Sequence, residues 1–195
     1  MKRLILGLAS SCLVLSLLSC STEQMDEAKM EAQMATYRST LNDFGVALQS
    51  ELKAAMKTGG PTKAIEVCQT KAPQISTEFS QKASFEITRT SLKPRNADNA
   101  PDAWEETVLK QFEKRKAAGE DPKKLEFIEV VKAADGQSKI RYMKAIPTAE
   151  VCLICHGSEI SEDVQAKLNV LYPSDKATGF ETGDLRGAFS IISSQ

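Results

Sequence analysis

The most informative shortage in this 195-residue sequence is histidine, which occurs only once. The sequence also lacks an excess of charge of either sign, because 25 Lys and Arg residues nearly balance 26 Asp and Glu residues and leave a formal net charge of −1. Nucleic-acid binding needs a clustered basic surface, so this balance argues against a nucleic-acid partner. Internal repeats, low-complexity runs and a strand followed by a Gly-rich phosphate loop are absent as well. We therefore expect one ordinary globular domain.

Residues 1–19 have the features of an export signal. Lys2 and Arg3 precede an apolar run that is too short to span a bilayer comfortably. The run ends in Leu-Leu-Ser-Cys, which resembles the lipobox of bacterial lipoproteins, so we predict acylation of Cys20 and a tether over 20–27. A plain signal peptide and a transmembrane anchor are the alternatives. If Cys20 is acylated, we expect the domain to lie in the periplasm and to be attached to the membrane only through its lipid anchor. The outer membrane is favoured over the inner membrane.

Five cysteines are present. Cys12 leaves with the signal peptide and Cys20 carries lipid, so the mature domain keeps Cys68, Cys152 and Cys155. Three is an odd number, which fits a disulfide framework poorly. Some other chemistry is expected to hold at least one of these cysteines.

Apolar residues at steps of three and four predict a long amphipathic helix over 27–57. This stripe favours a core-facing helix over a dimer seam, although a homodimer stays open. Gly59-Gly60-Pro61 should end the helix, and Thr62 can cap a second one of about 20 residues. Pro73 is expected to kink or divide that second helix. The stripe consists of Met30, Met34, Tyr37, Leu41, Phe44, Leu48 and Leu52.

The remainder of the chain favours strands with helical insertions. Asp135-Gly136 between two apolar runs is a strong hairpin signal. Helices followed by an antiparallel sheet give an α+β domain over 28–195. The elements that we predict are strands at 85–91, 125–133, 139–146 and 185–192, helices at 103–118 and 161–169, and loops at 92–102 and 147–157.

The segment from Cys152 to His156 has the C-x-x-C-H spacing of c-type haem attachment. Two thiols three positions apart can reach the two vinyl groups of one haem edge, and the following imidazole can then bind the iron. Thioether attachment takes place after export, which agrees with the export signal. A Cys₃His zinc site that includes Cys68, a thioredoxin-like redox pair and a simple disulfide are the alternatives. We predict one covalent haem c on Cys152 and Cys155, with His156 as an axial ligand.

The second axial ligand stays open between Cys68, a methionine and no protein ligand. A further histidine is excluded because none remains. Methionine is a common partner in electron carriers, whereas a thiolate lowers the iron potential. The methionines of the chain beyond the signal peptide are Met25, Met30, Met34, Met56 and Met143.

Arginine side chains are expected to meet the haem propionates, because a guanidinium group pairs well with a carboxylate. The candidates are Arg89, Arg95 and Arg141, with Lys93 and Arg186 as further cations. Tyr142 and Trp104 are expected to be core aromatics.

Three groups of residues in order resemble the bacterial PAS-like haem c domain family. They are Arg89–Asn96 with Asn99–Glu105, the segment Cys152–Gly157, and Tyr172–Phe180 with Gly183–Ala188. The resemblance runs from about Ala35 to Ser190. It implies a PAS-like antiparallel sheet with long N-terminal helices and one haem c with a His/Cys axial pair. The family's cysteine lies in a segment similar to Ala64–Cys68, which implies Cys68 as the second ligand.

The resemblance also implies a role in sensing redox state or a diatomic gas through a ligand change at the iron. This chain has no signalling module of its own, so a separate signalling or electron-transfer protein is expected as its partner. A monohaem electron carrier is the alternative function. An enzyme such as a peroxidase is not expected, because no distal histidine is available.

Overall fold

A computed structural model describes residues 27–194. The predicted signal peptide, the lipid site Cys20 and the tether up to residue 26 lie outside the described residues. Within 27–194, no helix combines the length and the apolar character that crossing a membrane requires.

A long helix, α1 (Glu27–Ala83), dominates the N-terminal half. Its dihedral angles leave helical values at Gly59 and at Gly60, where φ is 69°. A side chain is strained at such a positive φ, so glycine permits the break. The predicted end of the first helix is confirmed as an interruption within α1. Pro73 was expected to kink or divide the second half, but the only non-helical residues inside α1 are the two glycines.

Three further helices follow, and each has a recognisable local cause or position. Helix α2 (Ala103–Ala117) begins with a capping box, in which Asp102 accepts from the Glu105 amide and Glu105 accepts from the Asp102 amide. Helix α3 (Leu153–His156) is a single turn within the predicted loop 147–157. Helix α4 (Glu162–Leu171) is apolar on the side that faces α1. Short 3₁₀ turns lie at Ala97–Asn99, Pro122–Lys124 and Glu150–Cys152.

Four antiparallel strands form the sheet of the described chain, in the order β1-β4-β3-β2. Strands β2 and β3 pair as the predicted hairpin, from Glu126↔Lys144 to Lys132↔Ser138. The C-terminal strand β4 lies between β3 and β1. The α+β prediction is therefore confirmed. The bounds are β1 Glu86–Thr90, β2 Glu126–Lys132, β3 Ser138–Pro147 and β4 Leu185–Ser194.

The two faces of the sheet carry separate apolar cores. Helix α1 covers one face with its predicted stripe, since Tyr37, Leu41 and Phe44 are buried against Tyr142 and Ile191. Helix α2 covers the other face. Its buried residues Val108, Leu109 and Phe112 pack with Met143 and Ala188.

A polar cluster joins the first half of α1 to the hairpin. The Arg38 guanidinium donates to Glu126 at 2.6 Å, and the hydroxyl of buried Tyr142 donates to the same carboxylate at 2.6 Å. Burial raises the pKa of Glu126, but the hydrogen bonds from Arg38 and Tyr142 outweigh it and lower this pKa to about 2.

The second half of α1 leaves the sheet and packs against α4. Ile65 is buried with Val164 and Leu168. An ion pair of 2.7 Å between Lys167 and Glu66 lies beside this contact. The space between this part of α1, the end of the sheet and helix α3 is the cavity described next.

Candidate cofactor site

A cavity of about 260 Å³ opens where α1, the sheet end and the cysteine motif meet. All three cysteines of the described chain and its single histidine line it. Most of the remaining wall is apolar, as is usual for cofactor sites. The apolar lining comes from Leu48, Leu52, Met56, Ala64, Ile65, Ala72, Ile146, Pro147, Val151 and Ile154.

The cysteine motif is held as one short helical segment. The 3₁₀ turn before α3 contains Cys152, and α3 contains Cys155 and His156. Residues three apart on a helical turn lie on the same side, so both sulfurs can line the cavity. The intervening Ile154 is 40% exposed and the preceding Val151 is 60% exposed, which places them at the cavity mouth.

His156 is held in the tautomer that a metal ligand needs. Its Nδ1 lies 2.7 Å from the carbonyl oxygen of Ala177, and this oxygen can only accept a hydrogen bond. The proton therefore sits on Nδ1, and the lone pair of Nε2 is free to bind a metal. Burial, together with the charges of Arg186 and Arg95, lowers the pKa of His156 to about 2. The imidazole is thus neutral at physiological pH.

The segment around residues 177–180 runs alongside the motif and fixes its position. The amide of Phe180 donates to the carbonyl of His156 at 2.9 Å. The amide of Gly179 donates to the carbonyl of Gly157 at the same distance. These residues belong to the Tyr172–Phe180 group that carries the family resemblance, so the structure gives that group a physical role at the site.

Cys68 lines the cavity from the second half of α1 and is half-buried. Burial raises the pKa of its thiol, and the positive charges of Arg89 and Arg95 oppose that rise. Burial raises the pKa of the Cys155 thiol as well. Cys68 and His156 therefore reach one cavity from two different elements.

Met56 lines the same cavity, whereas the other described methionines do not. Met143 is fully buried in the core under α2, and Met34 packs against the core under α1. Met25 lies outside the described residues. Among the described methionines, Met56 is therefore the candidate for the second axial position.

Arg95 ties the loop after β1 to the motif. It forms an ion pair with Asp175 at 3.0 Å, and both side chains are largely buried. Its guanidinium also donates to the carbonyls of Cys155 and Ala177. Arg95 lines the cavity as expected, but its Nε and Nη2 already donate to partners in the protein.

Arg89 also lines the cavity, as predicted. No hydrogen bond or ion pair within residues 27–194 engages its guanidinium, and burial lowers its pKa. Such a cation is suited to an anionic group brought in by a ligand.

Arg141 was predicted to join this site, but the structure places it elsewhere. It pairs with Asp102 at 2.7 Å and stacks 4.3 Å from the Trp104 ring, beneath α2. Its strand neighbour Met143 points to the same face, so the alternation along β3 explains the position. Arg186 lies in the cavity instead.

A smaller cavity of about 130 Å³ adjoins the first at the sheet end. It shares Arg89, Arg95, Arg186 and His156 with the larger one, but no cysteine lines it. The hydroxyl of buried Thr90, also in its wall, has no hydrogen-bond partner. The guanidinium groups therefore line both cavities, whereas the cysteines line only the larger one.

The zinc and disulfide alternatives gain no support. Within residues 27–194, no group of three or more His, Cys, Asp or Glu side chains is arranged to hold a metal ion. Cys68, Cys152 and Cys155 are all free thiols.

Comparison with known proteins gives the family. A model described as Tll0287-like: Tll0287 matches residues 21–194. The chain belongs to the Tll0287-like family. Among solved structures, this Tll0287-like chain is similar to the crystal structure of the cyanobacterial heme-protein Tll0287, with a TM-score of 0.60 and 24% sequence identity. The match covers 87% of this chain and 97% of the other, and at this identity it establishes the fold alone. No curated protein matches.

Proposed function

We propose that this Tll0287-like chain binds one haem covalently through Cys152 and Cys155. His156 and Cys68 are the proposed axial ligands. The observation that carries the proposal is that these four residues, from two separate elements, line one apolar cavity. The heme-protein name of the similar crystal structure supports the same cofactor.

The residues present fit this group in three respects. A C-x-x-C-H motif supplies two thiols and an imidazole at the spacing that haem c requires. The Nδ1 contact of His156 with Ala177 leaves Nε2 available. The smaller cavity is lined by guanidinium groups and by no cysteine, which would suit the carboxylate edge of a porphyrin.

When bound here, haem would supply a one-electron redox centre whose axial positions can exchange ligands. Cys152 and Cys155 would anchor it, and His156 would hold the iron from the motif side. The apolar wall from α1 would exclude water. Arg89, whose guanidinium is otherwise uncommitted, is the best propionate partner among the predicted arginines, while Arg95 serves to position the motif.

For the biological role, we favour sensing of redox state or of a diatomic gas. Cys68 is the residue that would exchange, and it lies on the half of α1 that follows the Gly59-Gly60 break. A change at Cys68 could therefore move this half of α1 relative to the half that covers the sheet, which is a local event with a conformational readout. The alternative is an electron carrier with permanent ligands. Met56 in the same cavity gives this alternative a neutral ligand to replace Cys68.

We further propose that the protein is exported and anchored by lipid at Cys20, with its domain in the periplasm. The basis is the N-terminal sequence. We also propose that signal transmission or electron transfer from this domain involves a second protein.

Absorption spectroscopy of Cys68→Ala and Met56→Leu tests the ligand assignment. With Cys68 on the iron, Cys68→Ala should change the oxidised spectrum while Met56→Leu leaves it as in the wild type. An oxidised spectrum that Cys68→Ala leaves unaltered would remove Cys68 from the site.

Carbon monoxide addition to the reduced protein separates the two roles. A sensor should bind carbon monoxide or change its ligation on reduction. In an electron carrier, the iron should stay six-coordinate in both oxidation states and should not bind carbon monoxide. The second result would replace the sensing proposal with the electron-transfer alternative.

A further inference from the structure

Arg186 makes a contact that a propionate partner does not need. Its Nε lies 3.2 Å from Nδ1 of His156, on the side of the ring away from Nε2. The same Nδ1 already donates to the Ala177 carbonyl at 2.7 Å. Two N–H groups cannot donate to each other, so the approach of Arg186 is that of a fixed charge beside the imidazole.

The rest of the Arg186 side chain is fixed by its own contacts. Nη1 donates to the Ser91 hydroxyl at 3.2 Å and to the Lys93 carbonyl at 3.3 Å. The guanidinium lies 5.4 Å from the centre of the Phe180 ring. Phe180 in turn meets the His156 ring edge-on, with centroids 6.3 Å apart. Arg186, His156 and Phe180 therefore form one packed cluster, and the approach of Arg186 to His156 is not a chance contact at the surface.

No carboxylate neutralises this charge directly. Within residues 27–194, Arg186 forms no ion pair, and Asp175 is engaged by Arg95. A positive charge in a half-buried position acts more strongly than one in water, because the local dielectric constant is lower. Its effect on a group bound to His156 should accordingly be measurable.

We propose that Arg186 is a positioning residue that places a permanent positive charge behind His156 and thereby raises the reduction potential of iron bound to that imidazole. The inference rests on the proposed haem function. A nearby cation favours the reduced iron, which carries one positive charge less than the oxidised iron. In a centre with thiolate ligation, which lowers the potential, Arg186 acts in the opposite direction.

Three variants of the haem-loaded protein test this inference. Arg186→Gln removes the charge and keeps a hydrogen-bond donor, and Arg186→Lys keeps the charge. Lys110→Gln is the control, because Lys110 lies exposed on α2, paired with Glu106, and does not line the cavity. The readouts are the midpoint potential from a spectroelectrochemical titration and the imidazole ¹⁵N resonances of the single histidine in the reduced protein.

We expect Arg186→Gln to shift the potential to more negative values and to move the imidazole resonances. Arg186→Lys should stay closer to the wild-type potential, and Lys110→Gln should leave both the potential and the imidazole resonances in place. Equal potential shifts in the Arg186→Lys and Arg186→Gln variants would reduce Arg186 to a packing role and overturn the inference. So would imidazole resonances that Arg186→Gln moves no further than Lys110→Gln.

The outcome is separate from that of the proposed function. A wild-type protein that carries no covalent haem after export refutes the haem proposal itself. A haem-loaded wild type whose Arg186 variants behave like Lys110→Gln refutes only the role of Arg186.

Discussion

Replacing Arg95 with Met should destabilise the protein more than the substitution of any exposed charge. The change removes the ion pair to Asp175, in which the two side chains are only 12% and 9% exposed. It also removes the hydrogen bonds to the carbonyls of Cys155 and Ala177. Breaking one partner of a buried pair typically costs about 3–5 kcal/mol, because the other charge stays buried without compensation. A domain of this size has a total stability of roughly 5–15 kcal/mol, so the loss should be a large fraction of it.

The assay is guanidinium unfolding followed by far-ultraviolet circular dichroism. Lys110→Met is the matched control, since its ion pair with Glu106 is 61% and 47% exposed, and exposed pairs contribute only about 0–1 kcal/mol. In the double variant Arg95→Met with Asp175→Asn, the cost should be less than the sum of the single costs, because no charge stays stranded. If Arg95→Met lost no more stability than Lys110→Met, the account of Arg95 as the element that fixes the motif would be wrong.

Two further predictions concern the scaffold. Glu126→Gln should destabilise the protein at pH 7, and the deficit should shrink as the pH falls towards 2. The pKa of Glu126 is about 2 in the folded protein, below the 4.5 of an unperturbed glutamate, so its contribution to stability is present above pH 4.5 and is lost on acidification. Discounted for partial exposure, it is about 1–2 kcal/mol, and urea midpoints at pH 7 and pH 3 would measure it; a deficit independent of pH would contradict the assignment. Gly187→Ala should cost about 3 kcal/mol or more, because an added Cβ would lie 2.3 Å from the Thr90 carbonyl at a φ of 152°. Gly119→Ala, also at positive φ but with nothing within 4 Å, is the control, and equal thermal midpoints for the two variants would disprove the close-contact argument.

Local pattern was sufficient to predict most of the secondary structure. The stripe through Tyr37 and Phe44 has the helical period, and the Asp135-Gly136 turn joins two strands. The prediction of a kink or division at Pro73 was wrong, because it considered only the local cost of proline in a helix and not the packing around it. Ala72 and Ile75 are both buried, so tertiary contacts hold the helix together across the proline.

The candidate site was predictable where its residues are adjacent in sequence and less so where they come together only in the fold. The C-x-x-C-H motif alone is sufficient to predict Cys152, Cys155 and His156 as site residues. The carbonyl of Ala177, which orients the imidazole, carries no side-chain signal at all. Arg141 and Arg186 have the same chemistry, and only strand alternation decides that Arg141 faces α2. Met143 lies two residues after Arg141 in β3, and residues two apart in a strand share a face. An apolar residue at this position therefore indicated that Arg141 faces the core under α2.

The Cys68 assignment came from the family resemblance and not from the residues alone. Sequence spacing could not choose between Cys68 and a methionine, because the distance in space between two helix positions and the motif depends on the path of the chain. The structure brings Cys68 and Met56 to the cavity and leaves Met34 and Met143 in the cores. Spectra of the Cys68→Ala and Met56→Leu variants decide between these two residues and a position without a protein ligand.

The central claim is a covalent haem held by the cysteine motif. The most direct measurement is the intact mass, with a pyridine haemochrome spectrum, of protein exported in a host that attaches haem c. We expect the polypeptide mass plus one haem, with a haem that acid and organic solvent do not extract. Replacing both Cys152 and Cys155 with Ser should abolish this covalent attachment. Colourless protein with the mass of the bare polypeptide would contradict it.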